Sequence, residues 1–290
     1  MKTKTTPHLV VKDHLVSKED FKLNFDETLQ LFETFPQPSP QELPKYYQSE
    51  NYISHTDSTK NLLERVYQLV RIYTTKRKVK LINAFAKTSQ QLLDIGCGTG
   101  EFLKQAQKSS WEITGIEPND QARGVANLKV NNSVFPESGL SKLNKASFDV
   151  ITLWHVLEHL PNLDQYIETL SFLLKSKGTL IIAVPNFNSY DAKYYQSFWA
   201  AYDVPRHLWH FSQTSIKLLF EAKGFKLKQT LPMKFDAFYV SLLSEKYKNG
   251  KTNLFKAFWI GIRSNFKARE TNEYSSLIYV LKKDKNQRVP

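Results

Sequence analysis

The stretch QLLDIGCGTGEFL, Gln91 to Leu103, decides the fold. Its apolar run Leu92, Leu93, Ile95 reads as a buried strand, glycines at 96, 98 and 100 break that run, and a helix start follows. Glycine lacks the Cβ that holds a ligand off the backbone and tolerates positive φ, so this loop offers bare amides. In an open parallel sheet the loop lies beyond the carboxyl end of its strand, where ligands settle. A dinucleotide G-x-G-x-x-G fingerprint would need glycine at position 101. The chain has Glu101, a carboxylate that opposes a diphosphate.

Working outward, WEITGIEPND (Trp111 to Asp120) reads as a second strand through Ile113, Gly115 and Ile116, ending at Glu117. That acid falls 17 positions after Gly100, near the ~20-residue spacing at which a second-strand carboxylate accepts ribose hydroxyls. The compressed pattern Asp94-x-Gly96-x-Gly98-x-Gly100 resembles motif I of the class I S-adenosylmethionine-dependent methyltransferases. The resemblance, to bacterial small-molecule families of types 11 to 23, runs from about Tyr46 to Lys283. It implies S-adenosyl-L-methionine as cofactor and S-adenosyl-L-homocysteine as product. It assigns Asp94, Gly96, Cys97, Gly98, Thr99, Gly100, Glu117 and Pro118 to the cofactor, with Glu137 and Ser138 by the adenine. Trp154, His155 and His159, in the wording of motif IV, would face the methyl group and the amino-acid tail.

The alternation continues along the chain. A short third strand is expected near Ser133 to Phe135, a fourth from Phe148 to Leu153, a fifth in Gly178-TLIIAVP, a sixth from Phe225 to Leu231, and a closing strand from Ser275 to Lys283. The expected fold is α/β: a doubly wound, Rossmann-like, seven-stranded sheet whose last strand is antiparallel by family resemblance, plus an N-terminal strap and helical cap insertions. Residues 1–56, with the proline-spaced TFPQPSPQELPKYY, read as an extended surface strap. Residues 57–285 form the core, opened by a helix capped at Asp57 and Ser58. Within it, 186–212 reads as a substrate lid, an irregular segment dense in tyrosine and tryptophan, and 232–273 as an inserted helical segment. Residues 286–290 are a tail. Tyr46, Tyr47, Tyr52 and His55 are candidates to close over the cofactor.

No run approaches the ~18 apolar residues of a membrane span, and the only cysteine, Cys97, fits a reducing compartment; a cytoplasmic location is the expectation. In the resembling families a cysteine-rich zinc knuckle precedes the paired tyrosines. Here only His8 and His14 lie near, so a metal-free remnant is expected there, and no metal elsewhere. The net charge of +12 invites a nucleic-acid reading. From Ser241 to Pro290, 11 Lys/Arg stand against 4 Asp/Glu, and Lys76, Arg77, Lys78 and Lys80 make a second run that reads as a solvated face.

Methyl transfer from a sulfonium is an in-line displacement that needs alignment, exclusion of water and, for a protic acceptor, a base. Histidine suits that base near neutral pH. His207 in YDVPRHLWHF is the first candidate, with His155 and His210 as alternatives and Asp203 or Arg206 as orienter or substrate anchor. The expected acceptor is a small molecule, with oxygen favoured, because the fourth strand ends in Leu153-Trp154-His155-Val156 and lacks the Asn-Pro-Pro-aromatic signature of amino-directed nucleic-acid enzymes. Two other classes stay open: an RNA-directed methyltransferase using the basic C-terminal surface, and a module that binds the cofactor without transfer. Oligomeric state is not legible.

Overall fold

Strands and helices alternate along residues 7–47, 62–85 and 90–284, which a computed structural model describes. In chain order the first half holds β1 (Pro7–Lys12), β2 (Asp20–Asp26), β3 (Leu31–Phe35), α1 (Leu62–Asn83), β4 (Gln91–Ile95), α2 (Glu101–Gln107), β5 (Glu112–Ile116), α3 (Asp120–Lys129), β6 (Val134–Phe135) and β7 (Phe148–Trp154). The second half holds α4 (Leu163–Leu173), β8 (Leu174–Pro185), α5 (Tyr190–Tyr195), β9 (Trp209–His210), α6 (Gln213–Glu221), β10 (Phe225–Pro232), α7 (Asp236–Asn249), α8 (Leu254–Thr271) and β11 (Ser276–Lys283).

The central sheet has the order β10-β11-β8-β7-β4-β5-β6. β4, β5, β6, β7 and β8 pair in parallel, and β11 alone runs antiparallel to both its neighbours, β8 and β10. Its central strands are buried on both faces, which is why Leu180, Ile181, Ile182, Ala183 and Val184 form one continuous apolar run without alternation. Fully burying each such side chain stabilises by roughly 1.5–3 kcal/mol, and helices on either face supply the cover. The sheet, its seven strands and the antiparallel last strand follow the expectation from sequence. The Asp57 and Ser58 cap, Tyr52, His55 and the 286–290 tail lie outside the described residues.

The N-terminal segment differs from the expected strap. β1, β2 and β3 form an antiparallel sheet that β9 completes, in the order β1-β2-β3-β9. Phe21 and Leu23 alternate inward along β2 and bury their side chains, a period-two pattern that stabilises a half-covered sheet. The proline-rich stretch after β3 holds no strand or α-helix among the described residues and ends in a 3-10 turn from Leu43 to Tyr47.

The 186–212 segment also departs from an irregular lid. It holds α5, two 3-10 turns and β9, and its Tyr195, Trp199, Tyr202 and Val204 are buried with Val11, Leu23 and Phe32 of the N-terminal sheet and Ile260 of α8. The aromatic rings point into a second core, since each buries a large area when it does so. Asp191, fully buried, accepts hydrogen bonds from Trp199 Nε1 (2.8 Å), Ser264 Oγ (2.6 Å) and Ser275 Oγ (2.6 Å), and so ties the segment to α8 and to the start of β11.

Candidate functional site

The glycine loop turns as its composition demands. Gly96, Gly98 and Gly100 all have positive φ (68°, 55° and 76°). A Cβ on Gly96 would lie 2.4 Å from Val156 Cγ2, and one on Gly100 would lie 3.0 Å from Ala126 Cβ, so these two glycines serve close packing. Gly98 differs: no described atom lies within 4 Å of where its Cβ would stand. The open side of the loop is there, at the position where a ligand would press on the backbone. Glu101 is engaged by Lys129 at 2.6 Å.

Glu117 ends β5 at this opening. Its Oε2 accepts from Gly98 N at 2.8 Å and its Oε1 from Asn119 N at 3.0 Å, which leaves the remaining lone pairs of a fixed carboxylate for a ligand's hydroxyls. Burial raises its pKa. Pro118 is exposed beside it, while Cys97 packs under Gly115 with its thiol pKa pushed up by burial. Thr99 is half-buried within the loop. Glu137 and Ser138 are exposed just past β6, with Tyr166 Oη donating to Glu137.

Asp94, buried at the end of β4, accepts from Thr152 Oγ1 at 2.6 Å. Burial raises its pKa to about 7, against which the Lys78 ammonium acts. Lys78, on α1, lies over the Trp154 ring at 4.4 Å, and burial depresses its own pKa against the pull of Asp94 and Asp236. Read in the sequence as part of a solvated basic run, Lys78 is instead an inward-facing residue of the site. The one signal for it is its place one turn before Ile82, which is buried in the core. Trp154 packs edge-on against Phe102, and its Nε1 is buried with no described hydrogen-bond partner.

Beyond β7 the chain turns sharply. His155 takes a positive φ of 57°, a conformation that a side chain adopts only under constraint and that often marks a functional site. Its Nδ1 lies 3.4 Å from Glu158 Oε1 and its Nε2 3.1 Å from Asp236 Oδ2. Burial opposes its charge, but the two carboxylates outweigh that and lift the pKa to about 9. Its two carboxylate partners favour the charged imidazolium, which counts against His155 as the base. Asp236, at the start of α7, carries no signal in the sequence.

His159 Nδ1 lies 3.0 Å from Arg206 O and 3.0 Å from Tyr47 Oη. Burial, then the neighbouring His207, lowers its pKa to about 4. His207 is buried with Nδ1 2.9 Å from Ala201 O, and the two imidazoles meet edge-on with centroids 4.6 Å apart. Glu158, 1% exposed, faces them, and the imidazoles of His155, His207 and His159 hold its carboxyl below the usual range although burial pushes the other way.

Three candidates fall elsewhere. His210 is buried in the N-terminal sheet, its Nε2 2.9 Å from Thr34 Oγ1, and burial holds its pKa well below the usual value. Arg206 is enclosed rather than presented to a substrate: it donates to Asp203 (2.7 and 3.0 Å), Asp13 (3.0 Å) and Tyr46 O (3.0 Å). Asp203 is spent on that pair, which lowers its pKa against the effect of burial. The expectation of an orienter or anchor in these two is therefore corrected. A guanidinium placed between two carboxylates satisfies its donors inside the fold.

Comparison with known proteins gives the family and the fold. The model of a methyltransferase domain family matches residues 65–230. A ubiquinone biosynthesis O-methyltransferase from Paraburkholderia phymatum is 31% identical over 119 residues, 38% of this chain and 51% of that protein. The chain thus spans about half the length of this curated relative. Among solved structures, magnesium protoporphyrin IX methyltransferase from Synechocystis PCC 6803 with bound S-adenosylhomocysteine aligns with a TM-score of 0.56 at 14% identity, over 84% of this chain and 99% of that one. A methyltransferase from Archaeoglobus fulgidus aligns at 0.51 and 20% identity, over 73% and 94%. At these identities the structures speak for the fold.

Proposed function

The chain belongs to the class I S-adenosylmethionine-dependent methyltransferases, and we propose that it transfers the cofactor's methyl group to a hydroxyl oxygen of a small molecule. The observation that carries this reading is Glu117, a buried carboxylate fixed by the amides of Gly98 and Asn119 beside the one open glycine of the loop. Its remaining lone pairs suit the ribose hydroxyls. S-adenosylmethionine supplies an activated methyl on a sulfonium; the chain's own task is to position both partners and exclude water. Lys78 and Asp94 offer opposite charges for the carboxylate and ammonium of the amino-acid tail, and Trp154 Nε1 is a further donor.

His159 and His207 turn Nδ1 to backbone carbonyls, which leaves Nε2 of each for the acceptor side. The acceptor oxygen would be activated at this group. Similarity to an O-methyltransferase supports oxygen as the acceptor atom. Incubating the protein with the cofactor and a panel of phenolic and aliphatic hydroxyl compounds, and following S-adenosylhomocysteine release, tests the reading. Turnover confined to RNA, with a binding slope that falls steeply in salt, would replace it by the nucleic-acid alternative.

A further inference from the structure

We infer that Glu158, His159 and His207 form a binding site for one divalent transition metal, zinc by the chemistry of the donors. One ligand atom from each of the three lies within 4.8 Å of the others. Tetrahedral metal–ligand bonds of about 2.0–2.2 Å place such atoms about 3.4 Å from each other, so a contraction of up to about 1.4 Å closes the site. Each imidazole is held as a metal ligand is held. Nδ1 of His159 lies 3.0 Å from the carbonyl of Arg206, and Nδ1 of His207 lies 2.9 Å from that of Ala201. Donation from Nδ1 to a carbonyl fixes the tautomer that leaves the Nε2 lone pair free, which is the usual outer-shell arrangement of a ligating histidine.

Glu158 supplies the independent observation. It is 1% exposed; its Oε1 pairs with the His155 imidazole at 3.4 Å, and among the described residues Oε2 has no partner. A buried carboxylate with no hydrogen bond is expensive, and charged groups are buried when paired or bound to metal. The imidazole of His155, 3.4 Å away, can orient it but does not meet hydrogen-bond geometry. Two imidazoles and one carboxylate match catalytic zinc sites, which keep a further position open. Here that position would take an oxygen of the acceptor. The inference rests on the methyl-transfer reading only for that last step; whether metal binds is separate.

The test uses the full chain, stripped with a chelator and titrated with Co²⁺ or Zn²⁺ alone, beside a His159→Asn/His207→Asn double variant and a Glu158→Gln variant. One Co²⁺ per chain with visible ligand-field absorption is expected for the wild type, and affinity at least about 100-fold weaker in the double variant. Calorimetry with S-adenosylmethionine shows whether each variant keeps its fold and cofactor site. Equal Co²⁺ affinity in wild type and folded double variant overturns the inference, as does a wild type that binds the cofactor and no transition metal. Loss of cofactor binding in the wild type would instead strike the functional reading.

A different element carries a second inference: we propose that α8 lays its outer face on an anionic lipid surface. Phe255 (91% exposed), Phe258 (61%), Trp259 (59%), Ile262 (39%) and Phe266 (61%) fall within an arc of about 100° on a helix of 3.6 residues per turn. The opposite face, Ala257, Ile260, Gly261, Ser264 and Ala268, is buried against the protein. Large rings facing water while small residues face the core reverse the ordinary pattern. Arg263 and Lys267 lie along one edge of the arc with Lys256, which faces Glu245 at 3.6 Å, and Arg269 falls within it, so the face combines apolar area with positive charge, the composition of an interfacial helix. That charge favours an anionic bilayer over an uncharged protein surface.

Co-sedimentation with phosphatidylcholine vesicles, with and without phosphatidylglycerol, tests it. The wild type is expected to bind the anionic vesicles, with affinity at least about tenfold weaker in Phe255→Ser/Trp259→Ser and in raised salt. Both replaced side chains are exposed, so the fold should stand. Unchanged binding in the variant, or a concentration-dependent dimer of the wild type that ignores vesicles, overturns the proposal.

Discussion

Arg206 Nη2 and Asp13 Oδ1, 193 positions apart in the chain, lie 3.0 Å from each other with both side chains buried. Asp13 also accepts from the backbone N–H of Leu15, Val16 and Ser17, so one carboxylate shapes the β1–β2 turn and anchors it to the segment that carries His207. Replacing Asp13 by Ala leaves Arg206 with Asp203 as its one carboxylate partner and frees those three amides. A loss of about 3 kcal/mol is expected, at the low end for breaking a buried pair because Asp203 remains. Urea denaturation measures it.

The same pair sets an acid dependence. Although burial raises the Asp13 pKa, hydrogen bonds from Ser17 N and Arg206 bring it below the ordinary carboxylate value of 3.8. A carboxylate with a depressed folded pKa contributes stability that is full above the unfolded value and is lost as pH falls through the folded one. Stability should therefore drop below about pH 4 in the wild type, and less steeply in Asp13→Asn; parallel curves for the two proteins would exclude this origin.

Gly96 and Gly98 should separate packing from binding. An alanine at 96 meets Val156 at 2.4 Å, so Gly96→Ala should destabilise the protein by more than the ~1–2 kcal/mol of positive φ alone. At Gly98 the new methyl meets no described atom, so Gly98→Ala should cost only that strain while weakening cofactor binding at least tenfold. Thermal unfolding and calorimetry on both variants read the two effects.

Glu117→Ala removes the carboxylate that both fixes Gly98 N and would meet the ribose, and should weaken cofactor binding by at least ~1.4 kcal/mol, about tenfold. Lys78→Met should weaken it similarly by deleting the cation beside Asp94. If Lys78→Met binds as the wild type does, the amino-acid tail is held by other residues.

His207→Ala should lower turnover at least ~100-fold with cofactor affinity within a few-fold, whether the side chain takes a proton or holds a metal. Metal content then tells the two apart. Wild-type rates on the acceptor would remove His207 from the mechanism.

The central sheet was legible because β4, β7 and β8 are buried on both faces and so are rich in apolar residues, with Gly96 closing β4 and Gly178 and Pro185 bounding the run of β8. The N-terminal sheet was not. Its fourth strand is two residues long and lies about 170 positions downstream, and no local pattern records such a partner. Glu117 and the glycine loop sit on adjacent elements at fixed spacing, so their partnership could be read; Lys78 and Asp236 reach the site from helices whose orientation is a tertiary fact. Glu158 was passed over between two candidate histidines, although a carboxylate beside them was open to view. Arg206 was seen but misassigned, since a sequence does not tell an arginine facing a ligand from one facing Asp13.

The pairing of β3 with β9 also orders events on the ribosome. β1, β2 and β3 emerge first, yet their sheet is complete only after Trp209 and His210 have been synthesised, and Asp13 waits for Arg206 over the same interval. The residues that close this sheet follow β4 to β8 in the chain, and the same segment carries His207 to His159.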